Sequence, residues 1–148
     1  MLTDKPPAIY LKRRCLAKDY FQQIPDERVG LNGWVRGTEA QCAQHRTSIG
    51  LDALRCQTVA CLGGWLMTMP EYREWVAQLK RPSGQYLSNL RMYLGLSDTP
   101  TYGETRVFNG RCTLNDGPDA RNPAVTDKTL AHRRLDRLIA EAATTGMI

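Results

Sequence analysis

The chain has 148 residues, of which 42% are hydrophobic and 24% are charged, and these values are typical of one globular domain with a hydrophobic core. Its formal net charge is +5, with 15 arginines against 5 lysines. The sequence has no apolar run of about 20 residues and no secretory signal, so we expect a cytoplasmic protein without a membrane span, whose five cysteines are reduced thiols.

The first predicted helix follows a short tail, residues 1–7, because Pro6-Pro7 suits the first turn of a helix. Pro25 ends this helix. The glycine-rich residues 29–38 then predict a loop whose Trp34 enters the core. The apolar residues of the first helix recur at helical spacing and predict its buried face: Leu11, Cys15, Leu16, Tyr20 and Ile24.

Residues 56–69 are the most apolar part of the chain and predict a central helix that is buried on nearly all sides. Gly63-Gly64 lies in this segment, and each glycine costs a helix about 1 kcal/mol relative to alanine. We therefore expect another part of the chain to approach the backbone closely at this point.

Three further helices are predicted downstream. Thr68-Met69-Pro70-Glu71 is typical of a helix start with a capping box, and Gly95 suits the end of the following helix. Residues 109–125 predict a long exposed loop, in which Asn115-Asp116-Gly117 is a candidate hairpin turn. Thr126 caps the last helix, whose predicted buried stripe is Leu130, Leu135, Leu138, Ile139 and Ala142.

These patterns predict a mainly α protein. We expect residues 1–148 to form a single domain, in which about five helices form a bundle around the buried central helix.

A search for catalytic motifs finds no glycine-rich phosphate loop, no Gly-x-Ser-x-Gly elbow and no His-Glu-x-x-His motif. Cys42 lies three residues before His45, so a helix would place the two on one face, where a base could activate a thiol. Nothing marks the third group that such a site needs. We therefore predict no catalytic residues and keep a small Cys–His enzyme as an alternative.

Zinc is a second possibility, because Cys42, His45, Cys56 and Cys61 are four potential ligands. Residues five apart on a helix point about 140° away from each other, so Cys56 and Cys61 can share a metal only if Cys56 precedes the helix. Free cysteine is more often a small buried apolar residue. We therefore predict no metal and no other cofactor, and keep a zinc-stabilised nucleic-acid-binding protein as an alternative.

Two clusters of basic residues could contact nucleic acid. Lys12, Arg13, Arg14 and Lys18 form one, which would bind phosphate without sequence preference. The last helix carries the other but lacks the Asn, Gln or Ser side chains that usually accompany base recognition. Nucleic acid is therefore an alternative partner.

Residues 56–65, followed by Met69-Pro70-Glu71-Tyr72, resemble the signature of a family of small uncharacterised bacteriophage and bacterial proteins. That signature is Cys-x-Thr-x-x-Cys-x-x-Gly-Trp/His, followed by a Pro-Glu-aromatic step. The chain departs from it at Gln57, where glycine is usual, and in its longer 109–125 segment. Weaker matches follow the family's order: residues 24–28 with Trp34, residues 93–97, Val107-Phe108 and the Thr126-capped helix.

The resemblance carries no activity over, but it implies a phage or prophage accessory protein. Proteins of that kind often act by binding a host protein, and inhibitors of host defence, such as anti-CRISPR proteins, are one class among them. The sequence therefore predicts a non-enzymatic binding protein inside the host cell. Its expected partner-binding surface consists of five arginines: Arg111, Arg121, Arg133, Arg134 and Arg137.

Overall fold

The computed structural model describes residues 7–79, 86–96, 108, 110–111 and 116–144, and this part of the chain is mainly helical, as predicted. Three short 3-10 helices, Asp26–Arg28, Gly50–Cys56 and Gly117–Arg121, join the longer elements. The strands are β1 (Val35–Arg36) and β2 (Val59–Ala60). The α-helices are α1 (Pro7–Gln22), α2 (Glu39–Thr47), α3 (Leu62–Leu66), α4 (Pro70–Ala77), α5 (Tyr86–Leu94) and α6 (Asp127–Thr144).

Helices α1 and α6 pack against each other in antiparallel directions. Arg14 in the middle of α1 donates to the carbonyl oxygen of Leu138, and Gln22 at the end of α1 accepts from Lys128. Ala17 and Phe21 of α1 are fully buried, whereas Leu11, Cys15 and Leu16 are only half-buried. Tyr20 and Ile24 are buried as predicted, so the prediction holds in part, and the buried face of α1 also includes the guanidinium of Arg14.

Arg14 joins three helices in the interior. Its side chain is only 2% exposed and donates to the carbonyl oxygens of Leu94 and Leu138, at 2.9 and 2.7 Å, and to that of Gly95 at 3.4 Å. Carbonyl groups at a helix C-terminus lack intrahelical partners and carry partial negative charge, which suits a buried cation. Arg14 therefore fixes the end of α5 against α1 and α6.

The predicted helix over residues 56–69 is wrong as a single element, although the segment is as buried as expected. The 3-10 helix ends at Cys56, Gln57 adopts a left-handed backbone with φ of 58°, and β2 follows. Cys61 then caps α3, because its Sγ accepts from the backbone nitrogen of Gly64 at 3.5 Å. The left-handed turn at Gln57 thus redirects the chain before the buried helix can start.

The predicted close approach at the two glycines is confirmed. A Cβ atom at Gly64 would lie 2.1 Å from the carbonyl oxygen of Trp34, and one at Gly63 would lie 2.6 Å from the Trp34 ring. Trp34 also accepts a hydrogen bond from the backbone nitrogen of Cys61, beside the β1–β2 ribbon that pairs Val35 with Ala60. The loop after α1 therefore packs directly on α3.

The candidate hairpin turn at Asn115-Asp116-Gly117 lies partly outside the described residues, and the residues that follow it are helical. Residues 117–121 form a 3-10 helix, while residues 109 and 112–115 lie outside the described residues. The antiparallel strand pair that the structure describes is β1–β2, far from this segment in sequence. Within the described ranges, no helix has the length and apolar composition needed to cross a bilayer.

Candidate functional site

The start of α6 is fixed on both sides. Thr126 caps it as predicted, because its Oγ1 accepts from the backbone nitrogen of Thr129 at 3.1 Å. Asp127 in the first turn accepts from the backbone nitrogen of Leu31 at 2.9 Å and pairs with Arg111 at 2.5 Å. A carboxylate at this end also complements the helix dipole. The direction in which α6 presents its side chains is therefore well defined.

Helix α6 has one buried and one polar face. The buried stripe agrees with the prediction, except that Ile139 is half-buried and Arg134 joins the interior. On the other face Arg133, Asp136 and Arg137 are exposed. Exposed charged groups on a firmly packed helix form a surface that a partner can meet without reorganising the fold.

An open pocket of about 330 Å³ lies along the first turns of this polar face. It extends from α6 to the 3-10 helix that follows α1, which contributes Asp26. The residues that line it are Asp26, Lys128, Thr129, His132, Arg133 and Asp136.

Charges of both signs surround the pocket. Lys18 of α1 pairs with Asp136 at 2.7 Å, and this hydrogen-bonded carboxylate raises the pKa of Lys18. His132 packs against Phe21, with ring centroids 6.2 Å apart. Burial lowers the pKa of His132 below 6.5, although the nearby Asp136 acts in the opposite direction. His132 is therefore mainly neutral at pH 7, and the pocket offers an uncharged imidazole among charged neighbours.

Arg134 does not belong to a partner-binding surface, and its prediction as a contact residue is wrong. Its side chain is 1% exposed and pairs with Asp116, also buried, at 2.7 Å. It further donates to the carbonyl oxygen of Gly110 at 3.0 Å. Arg134 instead holds the segment before α6 against the helix.

The other four predicted arginines differ in how exposed they are and in the partners that their guanidinium groups already have. Arg111 is half-buried and donates to Asp127 and to the carbonyl oxygens of Ala120 and Val125, so its guanidinium mainly stabilises the loop. Arg121, Arg133 and Arg137 are exposed, and Arg133 pairs with Asp119. Partner binding by these arginines stays a prediction.

The basic cluster near the start of α1 is not a continuous phosphate-binding surface. Arg14 is buried, and Lys18 is paired with Asp136. Arg13 donates to the carbonyl oxygen of Tyr93 at 3.0 Å, with its guanidinium carbon 4.5 Å from the centre of the Tyr93 ring. Of the four residues only Lys12 is exposed. The nucleic-acid alternative therefore loses most of the contact on which it depended.

His45 is a structural residue in the interior. It is fully buried, with Nε2 2.7 Å from the carbonyl oxygen of Gly64 and Nδ1 2.7 Å from Oγ1 of Thr58. A carbonyl can only accept, so Nε2 carries the proton and Nδ1 accepts from Thr58. Cys42 donates instead to the carbonyl oxygen of Val35. The Cys42–His45 pair on which the enzyme alternative depended is not formed.

The four candidate zinc ligands likewise do not converge. Both ring nitrogens of His45 are occupied, Cys56 contacts Ser48, and Cys61 accepts from Gly64. Burial raises the pKa of the Cys61 thiol, which disfavours the thiolate that a metal needs. Across the described ranges, no group of three or more His, Cys, Asp or Glu residues could hold a metal ion. The zinc alternative is therefore wrong for these residues.

Sequence patterns did not identify Asp26 as a pocket residue. About 100 positions separate it from the α6 residues that it joins, and the antiparallel packing of α1 and α6 is what brings them together. The signal available was only its place just after the helix-ending Pro25.

Comparison of the chain with models of protein families finds no match, and comparisons with curated proteins and with solved structures find none either.

Proposed function

We propose that this chain is a phage or prophage accessory protein that acts by binding a host protein, and that its target belongs to a host defence system. The observation that carries the binding role is the exposed charged face of α6, on which Arg133 lines an open pocket and Arg137 is also exposed. The resemblance of residues 56–72 to phage proteins supports the biological setting.

The position of the charges supports a protein partner. Arginine is enriched at protein interfaces, where its planar guanidinium can donate two parallel hydrogen bonds to one carboxylate. Arg121 lies on the 3-10 helix Gly117–Arg121, which Asp119 ties to α6 through Arg133. The 3-10 helix that carries exposed Arg121 is therefore tied to the exposed face of α6, and these arginines suit a partner with acidic residues.

The experiment is an affinity purification of the tagged protein from host lysate, with and without nuclease, followed by mass spectrometry. The test variant is Arg133→Glu/Arg137→Glu. Its matched control is Arg46→Glu/Arg55→Glu, which makes the same charge change at two exposed arginines outside α6. Thermal melts establish that both variants are folded.

We expect one dominant host protein that survives nuclease, is retained by the control and is lost from the α6 variant. Retention by the α6 variant would show that the surface is wrongly assigned. Recovery that depends on nucleic acid would favour the nucleic-acid alternative instead. A defence target is tested by whether the purified partner loses its activity when the protein is added.

A further inference from the structure

Two of the side chains that line the pocket beside α6 form no hydrogen bond or ion pair within the part of the chain that the structure describes. Lys128 donates to the carbonyl oxygen of Gln22 at 2.9 Å, and Asp136 pairs with Lys18. Arg133 pairs with Asp119, and Thr129 accepts from the hydroxyl of Thr126. These four lining residues therefore already have polar partners within the chain.

Asp26 and His132 differ from the other four. Within the part of the chain that the structure describes, no hydrogen bond or ion pair engages the carboxylate of Asp26 or the ring nitrogens of His132. An ionised carboxylate only accepts hydrogen bonds, and a neutral imidazole has one accepting nitrogen. The unused groups of the pocket are thus mainly acceptors.

The surrounding charges do not oppose a cation. Three positive groups near the pocket are balanced by three negative groups, so an incoming cation meets no net repulsion from them. The positive groups are Lys18, Lys128 and Arg133, and the negative groups are Asp26, Asp119 and Asp136.

We propose that this pocket receives an arginine side chain of the partner protein, whose guanidinium binds the carboxylate of Asp26 and donates to the imidazole of His132. A guanidinium has five donors and no acceptor, and its planar fork matches a carboxylate. The volume of about 330 Å³ is at the lower end of the range for ligand sites, which suits one side chain.

This inference rests on the proposed function for the protein nature of the ligand, and it adds a chemical requirement. The partner presents acidic residues to Arg133 and Arg137 and one basic side chain between them and Asp26. A partner surface of alternating charge is therefore selected over a uniformly acidic one, because misplaced like charges in an interface are costly.

The pocket is tested without the partner by titrating the full chain with N-acetyl-arginine methylamide and following the ring resonances of His132 by NMR. The control ligand is the citrulline analogue, which has nearly the same shape but no charge. We expect a saturable shift with the arginine compound and a lower His132 pKa at saturation, because a nearby cation disfavours protonation.

Asp26→Asn should weaken binding of the arginine compound by up to about fivefold, because Asp26 is exposed and a charge pair at an exposed position is weak. Asp52→Asn is the matched control, because it removes another exposed carboxylate from a 3-10 helix away from α6, and it should change nothing. An equal response to the citrulline analogue, or an unchanged response in Asp26→Asn, would overturn the proposal. So would a preference for the corresponding glutamate compound.

Failure of this inference and failure of the proposed function give different results. If Asp26→Asn does not weaken capture of the host partner, the arginine pocket is refuted while the binding role of α6 stands. If the arginine compound binds at Asp26 but the affinity purification yields no host protein, the pocket chemistry is supported and the proposed function fails.

Discussion

Nε2 of His45 donates a hydrogen bond to the carbonyl oxygen of Gly64, 2.7 Å away, and this bond joins α2 to the buried helix α3. The ring also lies edge-on to Trp65, with centroids 4.8 Å apart. The interior therefore contains a histidine that is held neutral, and its protonation would break the bond that Nδ1 accepts from Thr58.

The first prediction concerns pH. Burial lowers the pKa of His45 below 6.5, so below that pH the unfolded chain binds more protons than the folded one. The free energy of unfolding should therefore be highest above pH 6.5 and fall as the pH decreases, by at most about 1.4 kcal/mol per pH unit for one group. Urea unfolding between pH 7.5 and 5.5 measures this loss.

His132 provides the control, because burial lowers its pKa as well but it lies half-buried beside the pocket. His132→Gln should retain most of the pH dependence, whereas His45→Gln should be less stable at pH 7.5 and show a flatter dependence. Identical slopes in the wild type and His45→Gln would contradict the assignment.

Gly64→Ala should destabilise the protein by about 1–3 kcal/mol or more, because overpacking a close contact forces the backbone apart. The added Cβ would meet the carbonyl oxygen of Trp34 at 2.1 Å and the Cβ of Ala60 at 2.8 Å, and neither atom can rotate away. At Gly110, the nearest atom to a Cβ is Oδ1 of Asn32 at 3.0 Å, on an exposed side chain. Thermal unfolding should show a clearly smaller loss for Gly110→Ala, and equal losses would argue against the packing described.

Trp65→Ala should reduce the free energy of unfolding by about 3–5 kcal/mol, the usual cost of truncating a large buried aromatic residue. The Trp65 side chain is 0% exposed, and its Nε1 donates to the carbonyl oxygen of Arg28 at 2.8 Å. Trp75 is half-buried, so Trp75→Ala should cost less. Chemical denaturation at pH 7.5 compares the two, and a more damaging Trp75→Ala would place the centre of the core elsewhere.

The buried pair between Arg134 and Asp116 leads to a fourth prediction. Asp116→Asn leaves the guanidinium in the interior without its counter-charge, and such a change typically costs about 3–5 kcal/mol. Asp119→Asn removes the partner of exposed Arg133, and that pair should contribute no more than about 1 kcal/mol. Denaturant unfolding measures both losses of unfolding free energy, and losses of similar size in the two variants would contradict the burial of Arg134.

The sequence predicted features that depend on local spacing. The stripe of α6, the Thr126 cap and the left-handed Gly95 after α5 follow from helical periodicity and from helix-end preferences, and the structure confirms them. The close approach at Gly64 was also predictable, because adjacent glycines in an apolar segment indicate a tight contact.

Features that depend on partners distant in sequence could not be predicted. Arg14 and Arg134 look like surface cations, but in the interior Arg14 donates to the carbonyl oxygens of Leu94 and Leu138, and Arg134 pairs with Asp116. Thr68 looks like a capping residue, but its hydroxyl bonds the carbonyl oxygen of Trp65 and lies 2.5 Å from the hydroxyl of Tyr20, so Met69 takes the capping position. In each case a long-range contact overrides the local preference.

The packing of α1 against α6 also determines when the chain can complete its fold during synthesis. Arg14 bonds the carbonyl oxygen of a residue 124 positions later, so this contact forms only after nearly the whole described chain has been made. Protein synthesis adds roughly 5–20 residues per second, so Leu138 is added about 6–25 seconds after Arg14. We infer that the part of α1 that packs on α6, including Phe21 beside His132, stays uncovered in the nascent chain until α6 docks.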